Sequence, residues 1–302
     1  MTDKMTYRFL RLFVTWFSFI PFSVSQYLGK MVGMLFFLVP IERKKVAWEN
    51  IQQSFGHTMD KKAQKKLIKK VYLHFGQMMF ELPHIFRLHD QNLEKYVFFT
   101  NEKNYLNAMN KGRGVFLLTG HFGNWELMAA AVSLRFGGIS VVARPIDLLP
   151  ADRLVEELRT RFKSSVIPKQ KAMRRILMTI KQKGVVGILL DQNVDWYDGV
   201  FVEFLGRWAC TNKGLALMAL KTDAPVIPLF SIRQPDGRYC ISFEDELKPV
   251  RTGDKTKDIE QNTLMYTRII EEYVRKYPEQ WFWFHRRWKT RMFWPISEKK
   301  KL

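Results

Sequence analysis

The sequence predicts an α/β protein in which a mixed, largely parallel central sheet is covered by helices and preceded by an apolar, membrane-associating helical segment. Two observations support this fold class. From Gly114 onward, short apolar runs alternate with segments of helical periodicity, which is typical of βαβ units. Before them, residues 12–40 contain a single charged residue, Lys30. We therefore divide the chain into a membrane-associating segment, residues 1–41, and an α/β domain, residues 42–302.

The apolar segment has basic residues on both sides, which is the pattern of a membrane segment. Pro21 is expected to break a helix near Ile20, so one kinked span and two short in-plane helices both fit the pattern. A hydrophobic hairpin packed on the domain is a third possibility. A cleaved signal peptide fits less well, because no small-x-small cleavage site follows.

The next element is an amphipathic helix that Asp60 caps at its N-terminus. One face is apolar and the other carries six lysines: Lys61, Lys62, Lys65, Lys66, Lys69 and Lys70. An ordinary solvated face and a surface for anionic headgroups or an acidic partner explain this charge equally well.

The remaining elements follow from hydrophobic periodicity and from Gly and Pro positions. We predict strands at residues 115–119, 139–143, 185–190, 226–231 and 239–243. We predict helices at residues 125–135, 152–162, 172–183, 211–221 and 259–277. The alternating run at 239–243 predicts an edge strand, and Pro278 ends the last helix.

The charge balance indicates an anionic partner. Lys and Arg number 49 against 29 Asp and Glu, a formal net charge of +20. Nucleic acid, anionic phospholipid, a phosphorylated small molecule and an acidic carrier protein all fit that charge. The 24 Phe and 9 Trp favour a large apolar ligand or a bilayer interface, although core packing also accounts for them. The two cysteines, Cys210 and Cys240, offer neither a disulfide framework nor a familiar zinc motif and favour a reducing, cytosolic setting.

A histidine lies where open α/β sheets place their sites. His121 follows the predicted strand 115–119 in a turn flanked by glycines. Residues five apart on one straight helix point about 140° from each other, so His121 and Glu126 cannot meet within a helix. If His121 lies in the turn and Asn124 caps the following helix, the Glu126 carboxylate is expected to reach one imidazole nitrogen.

Such a pair suits general-base chemistry. The carboxylate would fix the imidazole tautomer and leave the other nitrogen free to take a proton. No Ser or Cys nucleophile accompanies the pair, so we expect His121 to deprotonate a hydroxyl that attacks an activated acyl group directly. The spacing alone is weak, because a histidine after a strand is often a hydrogen-bonded turn residue.

The whole string from His121 to Glu126, His-Phe-Gly-Asn-Trp-Glu, is more specific. It resembles the signature of the late acyltransferases of lipid A biosynthesis, the lauroyl and myristoyl transferases, which are related to glycerolipid acyltransferases. The likeness covers nearly the whole chain. Its other elements are Ala143-Arg144-Pro145, the helix with Arg159 and Arg161, Leu190-Asp191-Gln192, residues 211–228, and residues 278–291.

The resemblance implies a glycerolipid-acyltransferase-like fold whose catalytic domain is residues 42–302, with His121 and Glu126 as the catalytic pair. It implies an acyl thioester donor, usually acyl carrier protein with coenzyme A as the alternative, and a phosphorylated glycolipid acceptor. It implies no cofactor beyond this co-substrate, no metal and no nucleic acid. The expected location is the cytoplasmic face of the inner membrane, on an anionic membrane surface.

Four further residues are expected to bind substrate: Asn124, Arg144, Arg159 and Asp191. Arginine there would hold phosphate or help the oxyanion of the tetrahedral intermediate. A solvated helix face explains Arg159 equally well, and a loop or cap residue explains Asp191.

The sequence also predicts roles for other histidines. His285 lies among tryptophans and basic residues, which favours an interfacial belt over a second catalytic histidine. His74 and His84 are expected to be structural. A glycerolipid or mannolipid acyltransferase is the alternative within the same chemistry. A non-enzymatic basic membrane- or RNA-binding protein is the alternative outside it, but no RNA motif is legible and the His-Glu pair would have no task.

Overall fold

The computed structural model describes residues 3–292, so the last ten residues of the predicted domain lie outside the described residues. The strands within this range are β1 (Val97–Thr100), β2 (Val115–Thr119), β3 (Ser140–Ala143), β4 (Ser165–Pro168), β5 (Val185–Leu189), β6 (Gly199–Phe204), β7 (Arg207–Asn212), β8 (Val226–Arg233) and β9 (Tyr239–Phe243). The α-helices are α1 (Asp3–Phe17), α2 (Phe22–Leu38), α3 (Glu42–Phe55), α4 (Lys61–Glu81), α5 (Glu102–Asn110), α6 (Trp125–Phe136), α7 (Leu149–Arg159), α8 (Ala172–Lys181), α9 (Gly214–Thr222) and α10 (Lys255–Lys276).

Seven strands form one sheet in the order β1-β9-β8-β2-β5-β3-β4. The strands from β8 to β4 are parallel, whereas β9 runs antiparallel to β8 and pairs in parallel with β1. This confirms the mixed, largely parallel sheet. The β6 and β7 strands form a separate antiparallel hairpin.

The centre of the sheet is β2, whose five residues are all buried. Phe116 and Leu118 point into one hydrophobic cluster, and Val115 and Leu117 point into the other. Both faces of β2 are therefore covered, which explains why its sequence is a continuous apolar run.

Several predicted elements differ from the structure. The helices predicted at 152–162 and 259–277 span Leu149–Arg159 and Lys255–Lys276. β9 is not an edge strand, because β1 adds a further strand beyond it. The helix predicted at 211–221 begins only at Gly214, because Thr211 still pairs with Val200 in the β6–β7 hairpin. β1, β4 and the hairpin were not predicted: β1 and β4 have four residues each, and Glu203 interrupts the apolar pattern of β6.

The basic amphipathic helix is α4. Asp60 caps it as predicted, accepting a hydrogen bond from the main-chain N of Ala63 at 2.6 Å. All six lysines named above are exposed. The opposite face packs against α2 and into the core.

The helix α2 lies directly on α4. A Cβ at Gly29 would be 2.6 Å from the carbonyl oxygen of Gly76, and one at Gly33 would be 2.3 Å from that of Tyr72. Glycine is therefore required for this close helix contact. The apolar segment is broken at Pro21 as expected, and both of its helices contact the domain, α1 against α7 and α2 against α4.

The outer faces of α1 and α2 are nevertheless apolar and exposed. Their exposed side chains include Phe9, Leu12, Phe13, Trp16, Tyr27, Met31, Leu35, Phe36 and Leu38. Among residues 3–292, no individual helix combines the length and apolarity of a membrane span. Only α2 and α3 taken together pass that test, and they meet at an angle of 89°.

Candidate active site

The parallel pairing of β2 with β5 brings His121 and Asp191 together. Thr119 and Leu189 end the two strands and are partners in the register. His121 and Asp191 each lie two residues beyond those ends, at the same carboxyl edge of the sheet. This is where open α/β sheets place ligand sites.

Asp191 accepts three hydrogen bonds at that edge. Its Oδ1 is 2.8 Å from Nδ1 of His121, and its Oδ2 accepts from the main-chain N of His121 and from Nε1 of Trp281, both at 2.8 Å. Burial raises the pKa of Asp191, but the charge and hydrogen bonds of His121 and the Trp281 hydrogen bond outweigh it and lower that pKa to about 2. The side chain is therefore an anion at neutral pH.

This anion fixes the state of the imidazole. Because Asp191 can only accept, Nδ1 of His121 carries the hydrogen and donates it. The lone pair is then on Nε2. There it meets the side-chain amide nitrogen of Gln192 at 3.2 Å. The imidazole side chain is 21% exposed, so His121 is an oriented base with access to solvent.

The predicted hydrogen bond between His121 and Glu126 is wrong. Glu126 accepts from Nε of Arg159 at 3.0 Å, from its Nη2, and from Nε1 of Trp125 at 3.2 Å. Among the described residues it forms no hydrogen bond with His121. Asp191 already occupies Nδ1, and Arg159 at the end of α7 neutralises the Glu126 charge instead.

The Glu126–Arg159 pair is partly buried beside the site. Burial lowers the pKa of Arg159, but the hydrogen bond and charge of Glu126 outweigh it and raise that pKa. The structure therefore pairs Arg159 with the first turn of α6, beside His121, rather than leaving it on a solvated helix face.

Asn124 belongs to the turn. As predicted, it caps α6 by accepting from the main-chain N of Leu127 at 3.0 Å. Its amide donates to Oε2 of Glu81 at 2.9 Å, and the residue has no exposed surface. Since both ends of the side chain are used inside the protein, we assign Asn124 to the turn and not to substrate.

The turn itself requires glycine at 123. Gly123 has a φ of +59°, and a Cβ there would be 1.7 Å from the carbonyl oxygen of Ser231 on β8. The predicted glycine turn is thus confirmed, and it is pressed against the neighbouring strand. Arg144 lies beyond the end of β3 on the same edge, where it is exposed and pairs with Asp147 at 3.4 Å.

The C-terminal segment, residues 280–290, bridges the two loops that carry His121 and Asp191. The main-chain N of Phe282 donates to the carbonyl of His121 at 3.0 Å, and the carbonyl of Gln280 accepts from Gly123 at 2.9 Å. Trp281, as noted, donates to Asp191. The rings of Trp125 and Phe282 lie 5.1 and 6.1 Å from the imidazole of His121 and give the site apolar walls.

The interpretation of this segment as an interfacial belt is wrong. Trp281 and Trp283 are buried, and Arg287 is fully buried. The guanidinium of Arg287 donates to the carbonyls of Cys210 at 2.9 Å and Gln192 at 3.3 Å. This aromatic, basic run is therefore part of the core. Its composition alone does not distinguish a buried segment from a membrane-interface belt.

His285, His74 and His84 each have a hydrogen-bond partner inside the protein. Nε2 of His285 accepts from the main-chain N of Asn193 at 2.9 Å, and burial chiefly lowers its pKa to about 4. His74 and His84 are buried, and burial chiefly lowers their pKa values to about 3 and about 4. They are structural, as predicted. No cluster of potential metal ligands occurs within the described residues.

Comparison with known proteins identifies the family of the chain. The model of the bacterial lipid A biosynthesis acyltransferase family matches residues 2–290. The chain is 25% identical over 273 residues to the lipid A biosynthesis lauroyltransferase of Escherichia coli, covering 90% of this chain and 87% of that protein. It is 26% identical over 283 residues to a lipid A biosynthesis acyltransferase of Haemophilus influenzae, covering 92% and 86%. It is 23% identical over 302 residues to the E. coli lipid A biosynthesis palmitoleoyltransferase, covering 95% and 94%.

Proposed function

The chain belongs to the bacterial lipid A biosynthesis acyltransferase family and is an O-acyltransferase, and within that family we propose that it transfers a fatty acyl group from an acyl thioester to a hydroxyl of a lipid A precursor. The observation that carries this proposal is the imidazole of His121, which Asp191 holds at Nδ1 and whose side chain is 21% exposed. Membership of this enzyme family excludes the alternative of a non-enzymatic membrane- or RNA-binding protein.

The proposed reaction needs no covalent enzyme intermediate. Nε2 of His121 takes the proton of the acceptor hydroxyl while the hydroxyl oxygen bonds to the thioester carbon and the carbonyl electrons move to oxygen. The tetrahedral intermediate then collapses, the carbon–sulfur bond breaks, and the leaving thiolate takes the proton from the imidazolium. Asp191, which stays ionised, stabilises the imidazolium between these two steps.

We propose that Glu126 acts in the site through Arg159 rather than through His121. The carboxylate holds the guanidinium on Nε and Nη2, and Nη1, which has no hydrogen-bond partner within residues 3–292, would bind a phosphate of the acceptor. The exposed Arg144 lies on the same sheet edge and is a second phosphate ligand in this proposal.

The donor we propose is acyl carrier protein, with acyl-coenzyme A as the alternative. A net charge of +20 and the exposed lysine face of α4 favour an acidic carrier. The two E. coli relatives are named for different acyl groups, lauroyl and palmitoleoyl, so their names favour no single chain length here.

We propose that the protein works at the cytoplasmic face of the inner membrane. The exposed apolar faces of α1 and α2 would contact the bilayer, and the basic surface would contact anionic headgroups. The lipid acceptor would be reached from that interface.

The test is acyl transfer from carrier-bound acyl thioester to a lipid A precursor by the wild type and by His121→Ala. We expect the variant to lose at least about 10³-fold in kcat. His57→Ala is the matched control, because His57 is exposed and lies in the loop after α3. Near-full activity of His121→Ala would contradict the proposal. Preferential acylation of a glycerolipid or mannolipid would identify the alternative acceptor.

A further inference from the structure

The reaction proposed above creates an oxyanion on the thioester carbonyl, and the catalytic turn has few donors left for it. The main-chain N of His121 donates to Asp191, that of Phe122 donates to Gly120, and that of Gly123 donates to Gln280. Oxyanions of acyl transfer need donors at about 2.7–3.1 Å. These three backbone groups are all committed elsewhere, so none of them is a free donor for the oxyanion.

The side-chain amide of Gln192 is available. Its one hydrogen bond within the described residues is the 3.2 Å contact to Nε2 of His121. Since Asp191 fixes the hydrogen of His121 on Nδ1, Nε2 presents a lone pair and Gln192 must present an N–H to it. The orientation of the amide follows: its donor end points at the base.

The backbone beneath this side chain is held on both sides. Arg287 donates to the carbonyl of Gln192 at 3.3 Å, and the next residue, Asn193, donates its main-chain N to His285 at 2.9 Å. Asn193 also exchanges side-chain hydrogen bonds with Thr290 at 2.9 and 3.1 Å. A rigid backbone that carries an oriented donor is what electrostatic preorganisation requires.

We propose that Gln192 is a catalytic residue that donates the hydrogen bond to the oxyanion of the tetrahedral intermediate. In the resting enzyme its amide caps the base. The acceptor hydroxyl takes the place of the amide at Nε2, since one lone pair accepts one such hydrogen bond. The displaced N–H then lies beside the attacking oxygen, on the side where the carbonyl oxygen gains its charge. This inference rests on the proposed function.

The first test measures kinetics of Gln192→Ala and Gln192→Met with saturating donor. We expect kcat to fall about 10²–10³-fold, with the KM for the acceptor changed less than about threefold, because the hydrogen bond forms only in the transition state. Gln53→Ala, an exposed glutamine in α3, is the control and keeps its activity. Arg159 is the competing candidate for the oxyanion donor. If Gln192 has that role, Arg159→Gln should mainly raise the KM for a phosphorylated acceptor.

The second test does not depend on the acyl substrate. Diethylpyrocarbonate acylates the unprotonated imidazole nitrogen, and peptide mass spectrometry follows the reaction at His121. We expect Gln192→Ala to react several-fold faster than the wild type at neutral pH, because the cap on Nε2 is gone.

The outcomes separate the two proposals. Near-wild-type kcat in Gln192→Ala and Gln192→Met, or the kcat loss appearing in Arg159→Gln instead, would overturn the role of Gln192 while leaving the acyl transfer intact. Unchanged modification of His121 in Gln192→Ala would overturn the capping geometry. Accelerated modification without acyl transfer by the wild type would refute the proposed function alone.

Discussion

Replacing Asp191 with Asn is predicted to place the imidazole hydrogen on the wrong nitrogen. Oδ2 of Asp191 accepts two N–H groups, from the main chain of His121 and from Trp281, both at 2.8 Å. The amide oxygen of Asn must take that position, which leaves the amide nitrogen in the place of Oδ1, 2.8 Å from Nδ1 of His121. There it donates to Nδ1, so the ring hydrogen moves to Nε2 and the base is lost.

The size of the effect follows from the same contacts. Holding the wrong tautomer is expected to lower kcat about 10⁴-fold, or about 5 kcal/mol of transition-state stabilisation. Asp191→Ala leaves the imidazole free to choose its tautomer, but it deprives the His121 and Trp281 donors of their buried acceptor. Each such loss costs about 1–3 kcal/mol of folding stability. Asn should therefore be the more stable variant, and Ala should be at least as active.

The assay compares kcat for acyl transfer with the thermal unfolding midpoint for both variants, with Asp236→Asn as an exposed control. Opposite rankings in activity and stability are the expected result. If Asp191→Asn kept activity within about tenfold of the wild type, Asp191 would not set the tautomer, and the assignment of His121 as the base would lose its structural basis.

Three further predictions concern neighbouring contacts. Gly123→Ala should lower the free energy of unfolding by about 3 kcal/mol or more, because the backbone is left-handed and a Cβ would be 1.7 Å from a carbonyl oxygen. Gly112→Ala is the control: its φ is +66° but nothing lies within 4 Å, so it should cost about 1–2 kcal/mol. Chemical unfolding measures both. Because the pKa of Asp191 is lowered to about 2 in the folded protein, the unfolded chain binds its proton first as pH falls. The lowered pKa of Asp191 thus contributes about 2 kcal/mol to the free energy of unfolding above about pH 4, and this contribution is lost toward pH 2. In Asp191→Asn the free energy of unfolding should therefore depend less steeply on pH in this range. Glu126→Gln and Arg159→Gln should each raise the KM for the phosphorylated acceptor, and the double variant should lose less than the sum of the two free energies, since the residues act as one pair.

The local features of the site were readable from the sequence. The strand at 115–119, the glycine turn and the Asn124 cap all depend on residues within a few positions of one another, and the structure has each of them. The prediction for the segment around Trp281 was wrong because its placement depends on distant parts of the chain. Tryptophans and arginines suit a membrane interface and a buried clamp equally, and only the packing of residues 280–290 against two distant loops decides between them.

The partner of His121 illustrates what sequence spacing leaves out. Glu126 is near in the chain, but the first turn of α6 directs it to Arg159. Asp191 is 70 residues away, yet β2 and β5 are adjacent parallel strands whose last residues are in register. In such a sheet, polar residues equally far beyond the ends of neighbouring strands meet at the same edge. His121 and Asp191 both follow predicted apolar runs directly, and this shared position is a signal that would have paired them without any structure, once β2 and β5 were taken as neighbours.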